Sequence, residues 1–208
     1  GPWASMLEDA HAALDSPAAG GQEAAVHLYA HLAEGGFELA QANVAFLLDQ
    51  QYTHSPSTPL LGLQGGSIAE RVLFMYRQAA AQGNIEAEVK LGDYAYYGHG
   101  CEVDLEAAVA HYRTAADARS SQATFNLAYM YAHGLGLARD YHLAKRHYDI
   151  AGETSPEAWA PVQLALLELR LLMWWEARMG AHAADPYEWL AASMGPAGSV
   201  LAPALASL

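Results

Sequence analysis

The chain has 208 residues, with 23 Asp plus Glu against 10 Lys plus Arg and a formal charge of -13. That charge repels phosphate backbones and anionic lipid headgroups, and argues against a nucleic-acid or basic-patch membrane binder. Ala (44) and Leu (27) far outnumber Val plus Ile (11), a bias toward helix and against all-β or parallel-sheet α/β folds. A single cysteine, Cys101, forms no internal bridge, so the fold must stand on packing. The first twenty residues lack the positive start and continuous apolar core of a secretory signal, so any export address is expected outside the chain shown.

A repeat organises the middle of the chain. Leu91-Gly92-Asp93-Tyr94-Ala95-Tyr96-Tyr97-Gly98-His99-Gly100 aligns with Leu127-Ala128-Tyr129-Met130-Tyr131-Ala132-His133-Gly134-Leu135-Gly136 at a shift of 36 residues. The shift persists through Asp104/Asp140, Ala108/Ala144, Tyr112/Tyr148 and Ala115/Ala151. Four tyrosines, Tyr29, Tyr76, Tyr112 and Tyr148, mark four second helices at gaps of 47, 36 and 36. The extra eleven residues fall in 51–66, a Ser/Thr/Pro/Gly-rich stretch read as an insertion between the two helices of the second unit.

In chain order the predicted units are roughly 3–36, 37–83, 84–119 and 120–155, each a helix, a tight turn, a second helix and a short link. Together residues 1–155 form a tandem array. Small residues (Ala40, Ala87 and Ala123 on first helices; Ala25, Ala108 and Ala144 on second) mark close helix crossings, and Leu91, Leu127, Tyr112 and Tyr148 fill the spaces between. Gly36 and Gly83 close the second helices of the first two units, and Ser67-Ile68-Ala69-Glu70 has capping-box spacing for the helix carrying Tyr76. Gly98, Gly100, Gly134 and Gly136 end first helices with positive-φ turns, after which Asp104 and Asp140 offer carboxylate caps. Ser155-Pro156 predicts the start of a last long helix, with serine as cap and proline at the first helical position.

That last helix, within 156–180, is apolar nearly all round and must bury more than one face: one to cap the stack, the remainder against itself or a partner. The remaining 181–208 is read as a flexible tail. Its stretch 189–208 is uncharged and nearly span-length, but rich in Ala, Gly and Ser and broken by Pro196 and Pro203.

The pattern Leu-Gly-x-x-x-x-x-Gly-x-Gly, then Asp, then Ala-x-x-x-Tyr-x-x-Ala-Ala resembles the Sel-1-like repeat family. The strings GFELAQANVAFLLDQ (36–50), VKLGDYAYYGHG (89–100) and ATFNLAYMYAHGLGLARDYHLAKRHYD resemble, within that family, the last luminal repeats of the adaptors of Hrd-type ubiquitin ligases. The similarity spans roughly 21–170. It implies an all-α, right-handed solenoid of antiparallel helix pairs, closed here by the long apolar C-terminal helix. It also implies a scaffold on the luminal side of the endoplasmic reticulum that delivers misfolded proteins to a membrane ubiquitin ligase, alongside a substrate-binding lectin. Two positions depart from the family pattern: Ala128 replaces the repeat glycine and Ala95 a usual tyrosine. Such adaptors ordinarily continue into a membrane span, for which the tail is a poor candidate.

Residue chemistry points to binding rather than catalysis. His27 and His31 are spaced i, i+4, without an HExxH pattern or a third ligand, and are read as surface histidines rather than metal ligands. Cys101 is read as an inert thiol and Gly98-His99-Gly100 as a helix stop, because a phosphate loop would carry Lys-Ser/Thr. No enzyme, cofactor, metal or nucleic acid is expected, and homo-oligomers are allowed. A groove lined by first helices is expected to bind polypeptide, with Asn43, Asp93, Tyr94, Tyr97, Asn126 and Tyr129 as exposed contacts and Trp174 and Trp175 as anchors on the last helix. The alternative reading is a soluble scaffold of another assembly, bacterial or cytosolic.

Overall fold

The computed structural model describes residues 2–16, 20–54, 66–180 and 186. Within them every regular element is helical: α1 (Pro2–Leu14), α2 (Gly21–Glu34), α3 (Glu38–His54), α4 (Gly66–Ala81), α5 (Ile85–Tyr97), α6 (Leu105–Asp117), α7 (Ser121–His133), α8 (Tyr141–Thr154), a single 3-10 turn (Pro156–Ala158) and α9 (Trp159–Met179). Each helix packs on its neighbours in the chain, from α1 on α2 through to α8 on α9. Short links make consecutive helices antiparallel, which is the geometry of a stacked array. The tail 181–208, apart from Pro186, lies outside the described residues. Of the insertion, 55–65 lies outside them, while 51–54 extend α3 and Gly66 opens α4.

Packing explains the repeat. Tyr29, Tyr76, Tyr112 and Tyr148 are all buried on α2, α4, α6 and α8, and the small residues Ala25, Ala40, Ala87, Ala108, Ala123 and Ala144 are buried beside them. The repeat glycine has a steric cause: a Cβ on Gly92 would come within 2.5 Å of the Tyr112 ring. In the next unit Ala128 takes that place, and the Tyr148 ring packs edge-on against Phe125 with centroids 5.1 Å apart. Gly136 is held at φ +67, where a Cβ would meet the Leu105 carbonyl oxygen at 2.3 Å, so glycine alone lets the turn after α7 touch the start of α6.

Caps fix the helix starts. The side chains of Asn84, Asp104, Ser120 and Asp140 accept hydrogen bonds from the backbone N–H groups of Ala87 (2.7 Å), Ala107 (2.9 Å), Ala123 (3.2 Å) and Leu143 (2.9 Å). Such a cap stabilises its helix by about 1 kcal/mol. Two predicted starts move. α4 begins at Gly66, one residue before the serine expected to cap it. Ser155 makes no side-chain cap bond; the chain first makes the 3-10 turn at Pro156, and α9 begins only at Trp159.

The largest departure concerns α9. It turns Val162, Ala165, Leu169 and Leu172 into the stack, but buries no second face. Leu164, Leu167, Leu171 and Trp174 stay more than half exposed. The expected closing role therefore fails as stated: a terminal cap presents a polar outer face, and this helix presents an apolar one. Among the described residues no helix is long and apolar enough to cross a membrane.

Candidate functional site

The first helices α3, α5, α7 and then α9 form a row, and side chains bridge each step along it. Between α3 and α5, the Tyr94 hydroxyl donates to Asp49 Oδ1 (2.8 Å) and Lys90 Nζ to Asp49 Oδ2 (3.3 Å). The Asn84 amide, at the cap of α5, donates to Glu38 in the first turn of α3. Between α5 and α7, Asn126 Nδ2 donates to Asp93 Oδ1 (3.4 Å). Between α7 and α9, His133 Nε2 lies 3.6 Å from Glu168 Oε1. The bridges give the row a fixed spacing from helix to helix.

Asp93 also ties the row to the second helices, because it accepts from the Tyr112 hydroxyl at 2.7 Å. Burial pushes its carboxyl upward, with the Tyr112 hydrogen bond opposing. Burial likewise pushes the Tyr129 hydroxyl up to about 12, so at neutral pH it keeps its proton as a donor. Between α3, α5 and the start of α7 opens a cleft of about 450 Å³, lined by Asn43, Phe46, Tyr76, Glu86, Lys90 and Gln122 among others. On α3, α5 and α7, two aromatic rings among the described residues are exposed: Phe46 at 46% and Tyr97 at 63%. Tyr97 is held from behind, stacked on His99 (5.5 Å) and edge-on to Tyr96 (4.8 Å).

The predicted contact residues divide accordingly. Asn43 lines the cleft, Tyr97 is open, and Tyr129 is half-buried with its ring 4.2 Å from that of His133. Asp93 and Asn126 meet each other. Tyr94, expected to be exposed, is 2% exposed. It lies one turn after Leu91 on the buried face of α5, its ring edge-on to those of Tyr76 and His99, and its hydroxyl on Asp49 keeps it inside. Trp174 is exposed and Trp175 half-buried, both on α9. Asp49, Lys90 and Phe46 were not foreseen. An aspartate at the end of the apolar run 44–48 was the available signal for Asp49, because a carboxylate beside buried leucines demands a partner.

Among the described residues no three His, Cys, Asp or Glu side chains stand close enough to share a metal ion. Cys101 is half-buried, with Sγ 3.5 Å from the Tyr94 carbonyl oxygen. His27 and His31 are both exposed on α2. The partly exposed Asn43 amide and the exposed Phe46 and Tyr97 rings on a braced surface suit recognition of a chain laid across it.

The Sel1 repeat model matches residues 73–84, 85–120 and 121–153, which are α5 to α8 and part of α4. Residues 73–153 of the chain are thus Sel1 repeats. It is 42% identical over 191 residues to protein sel-1 homolog 2 of Rattus norvegicus, covering 91% of this chain and 26% of that protein. It is 38% identical over 175 residues to the ERAD-associated E3 ubiquitin-protein ligase component HRD3A of Arabidopsis thaliana, covering 82% of this chain and 25% of that one. The chain thus spans about a quarter of the length of these curated relatives. Among solved structures, a protective antigen of uropathogenic Escherichia coli displaying an SLR fold superposes with a TM-score of 0.63 at 24% identity, covering 88% of this chain and 42% of that one. A Sel1 repeat protein from Oxalobacter formigenes gives 0.57 at 26% identity, covering 77% and 59%. These two carry the fold.

Proposed function

We propose that this chain is the polypeptide-binding repeat segment of a non-catalytic adaptor in endoplasmic-reticulum-associated degradation. On this reading a right-handed solenoid on the luminal side holds misfolded proteins along its row of first helices. Other parts of the same assembly are a Hrd-type membrane ubiquitin ligase subunit and a substrate-binding lectin. The observation that carries the binding role is the row itself, with its cleft between α3, α5 and α7 and the exposed rings of Phe46 and Tyr97. The similarity to HRD3A supports the setting.

The chemistry matches an extended client. The Asn43 amide can both donate to and accept from a peptide backbone, and Phe46 and Tyr97 offer apolar faces to client side chains. Asp93, Asn126 and Tyr129 border the same surface while bracing it, and Tyr94 and Asp49 position it from beneath.

The test is affinity purification of the full-length protein from its native membranes. Recovery of a ligase subunit and misfolded clients is expected, with Tyr97→Ala plus Asn43→Ala losing the clients several-fold and keeping the ligase. Recovery without ligase or lectin, or client capture unchanged by the double variant, would overturn the reading.

A further inference from the structure

The cleft between α3, α5 and the start of α7 holds a charge that its own residues leave unmatched. Glu86 stands exposed on the cleft wall, in the first turn of α5, with no hydrogen-bond or ion-pair partner among the described residues. Its natural partner is Lys90, one turn later at i, i+4 on the same wall. Lys90 is instead turned to α3, where its ammonium lies 3.3 Å from Asp49 Oδ2. The lysine's charge is thereby matched, and that of Glu86 is left over. We infer that the cleft selects one basic side chain of the bound polypeptide, arginine before lysine, with its head on the Glu86 carboxylate and its face on the Phe46 ring. This assignment rests on the reading of the row as a polypeptide-binding surface, and adds the side chain that the surface prefers.

The remaining lining suits such an occupant. Ala42 and Val89 give an apolar wall for the aliphatic stem of a long basic side chain. The Phe46 ring attracts a cation, and a planar, weakly hydrated guanidinium stacks on it better than a compact ammonium does. Asn43 and Gln122 bring amide oxygens that accept from the remaining N–H groups. Beneath them Tyr76 is 3% exposed, and its hydroxyl has no hydrogen-bond partner among the described residues. A buried hydroxyl left open is rare, and one on the residue that closes the cleft from below marks a place where a polar ligand is wanted.

The local field decides between a basic and an acidic occupant. The starts of α5 and α7 each bring about half a positive charge to the rim, but both are capped, by Asn84 and Ser120. Against them stand the carboxylates of Glu86, of Asp49, and of Glu38, which accepts from Asn84 at the cap of α5; Lys90 offsets one of the three. Burial first, and then the carboxylates of Asp49, Asp93 and Glu86, push the Tyr76 hydroxyl upward, the response of an acid held in negative surroundings. Over the whole chain the charge is -13, which draws basic segments in and repels acidic ones.

Fluorescence anisotropy of the 208-residue chain tests the inference, with a dye-labelled extended peptide that is uncharged except at one central residue. That residue is arginine, lysine, citrulline, leucine or glutamate. Arginine should bind about tenfold tighter than citrulline, its neutral isostere, with lysine between them and glutamate weakest. Glu86→Gln, an exposed change expected to leave helical circular dichroism as it was, should bring the arginine peptide down to the level of citrulline. Glu88→Gln, whose carboxylate pairs with His111 on α6, should keep the preference. The citrulline comparison needs no variant, so it decides even if Glu86→Gln unfolds. Equal binding of all five peptides would overturn the inference while leaving the polypeptide-binding row in place. So would an arginine preference that survives Glu86→Gln, or one lost equally in Glu88→Gln. Failure to bind any of the five would overturn both.

Discussion

Helices α7 and α9 both open a new layer on a preceding second helix, yet they end differently. The 13 residues of α7 bury Ala123, Thr124, Leu127, Ala128, Met130 and Ala132, because α6 packs on one side and α8 on the other. The 21 residues of α9 bury only Val162, Ala165, Leu169 and Leu172, against α8 and the edge of α7. The difference lies in the neighbours: in a stacked array apolar surface is satisfied by layers on both sides, and among the described helices α9 has a layer on one side. A helix rich in leucine thus buries its apolar surface only on the sides where a layer packs.

Paired substitutions sharpen this contrast. Leu127→Ala on α7 should cost about 3 kcal/mol in urea denaturation, through lost burial and the cavity left behind. Leu167→Ala on α9, in dilute solution, should stay within about 0.5 kcal/mol; equal costs would mean that α9 is packed on both faces. The glycines behave likewise. Gly136→Ala, forced against the Leu105 carbonyl at positive φ, should lose about 2–3 kcal/mol. Gly180→Ala after α9 keeps the strain of φ +92 in open space and should lose about 1 kcal/mol.

Smaller effects probe the row itself. Tyr94→Phe withdraws a donor from nearly buried Asp49 and should cost about 1–2 kcal/mol, with Lys90 left as the carboxylate's remaining direct partner among those described above. The smallest effect is a pH dependence at His147, whose ring stacks on Tyr131. Burial first, then Arg146 and Arg113, hold its pKa below the usual 6.5, so the folded state prefers the neutral ring. Its contribution is intact above about pH 6.5 and lost as pH falls from there through the lower folded value. Thermal melts should show a shallower decline on acidification in His147→Phe; an unchanged slope would remove the ring from the balance.

Much of the fold was legible because it depends on residues that repeat. Tyr76, Tyr112 and Tyr148, the glycine turns and the Asp104 and Asp140 caps recur at a shift of 36, and a recurring steric need leaves a recurring letter. The site was less legible. Asp49 meets Tyr94 across 45 residues and Asp93 meets Asn126 across 33, and neither separation is a repeat. Tyr94, Tyr96 and Tyr97 are adjacent aromatics on a helix enclosed by α4 and α6, so composition did not reveal which one points outward. Ser155 has the right type for a cap, but the turn at Pro156 carries the chain away from it.

The row of first helices as the surface that holds a client is tested most directly by photo-crosslinking in the full-length protein. A benzophenone amino acid is placed at position 97 on α5, at 46 on α3, or at 74 on α4, three exposed aromatic sites of similar reach. Misfolded client should cross-link strongly from 97 and 46 and several-fold less from 74. Equal or stronger capture from 74 would contradict the account.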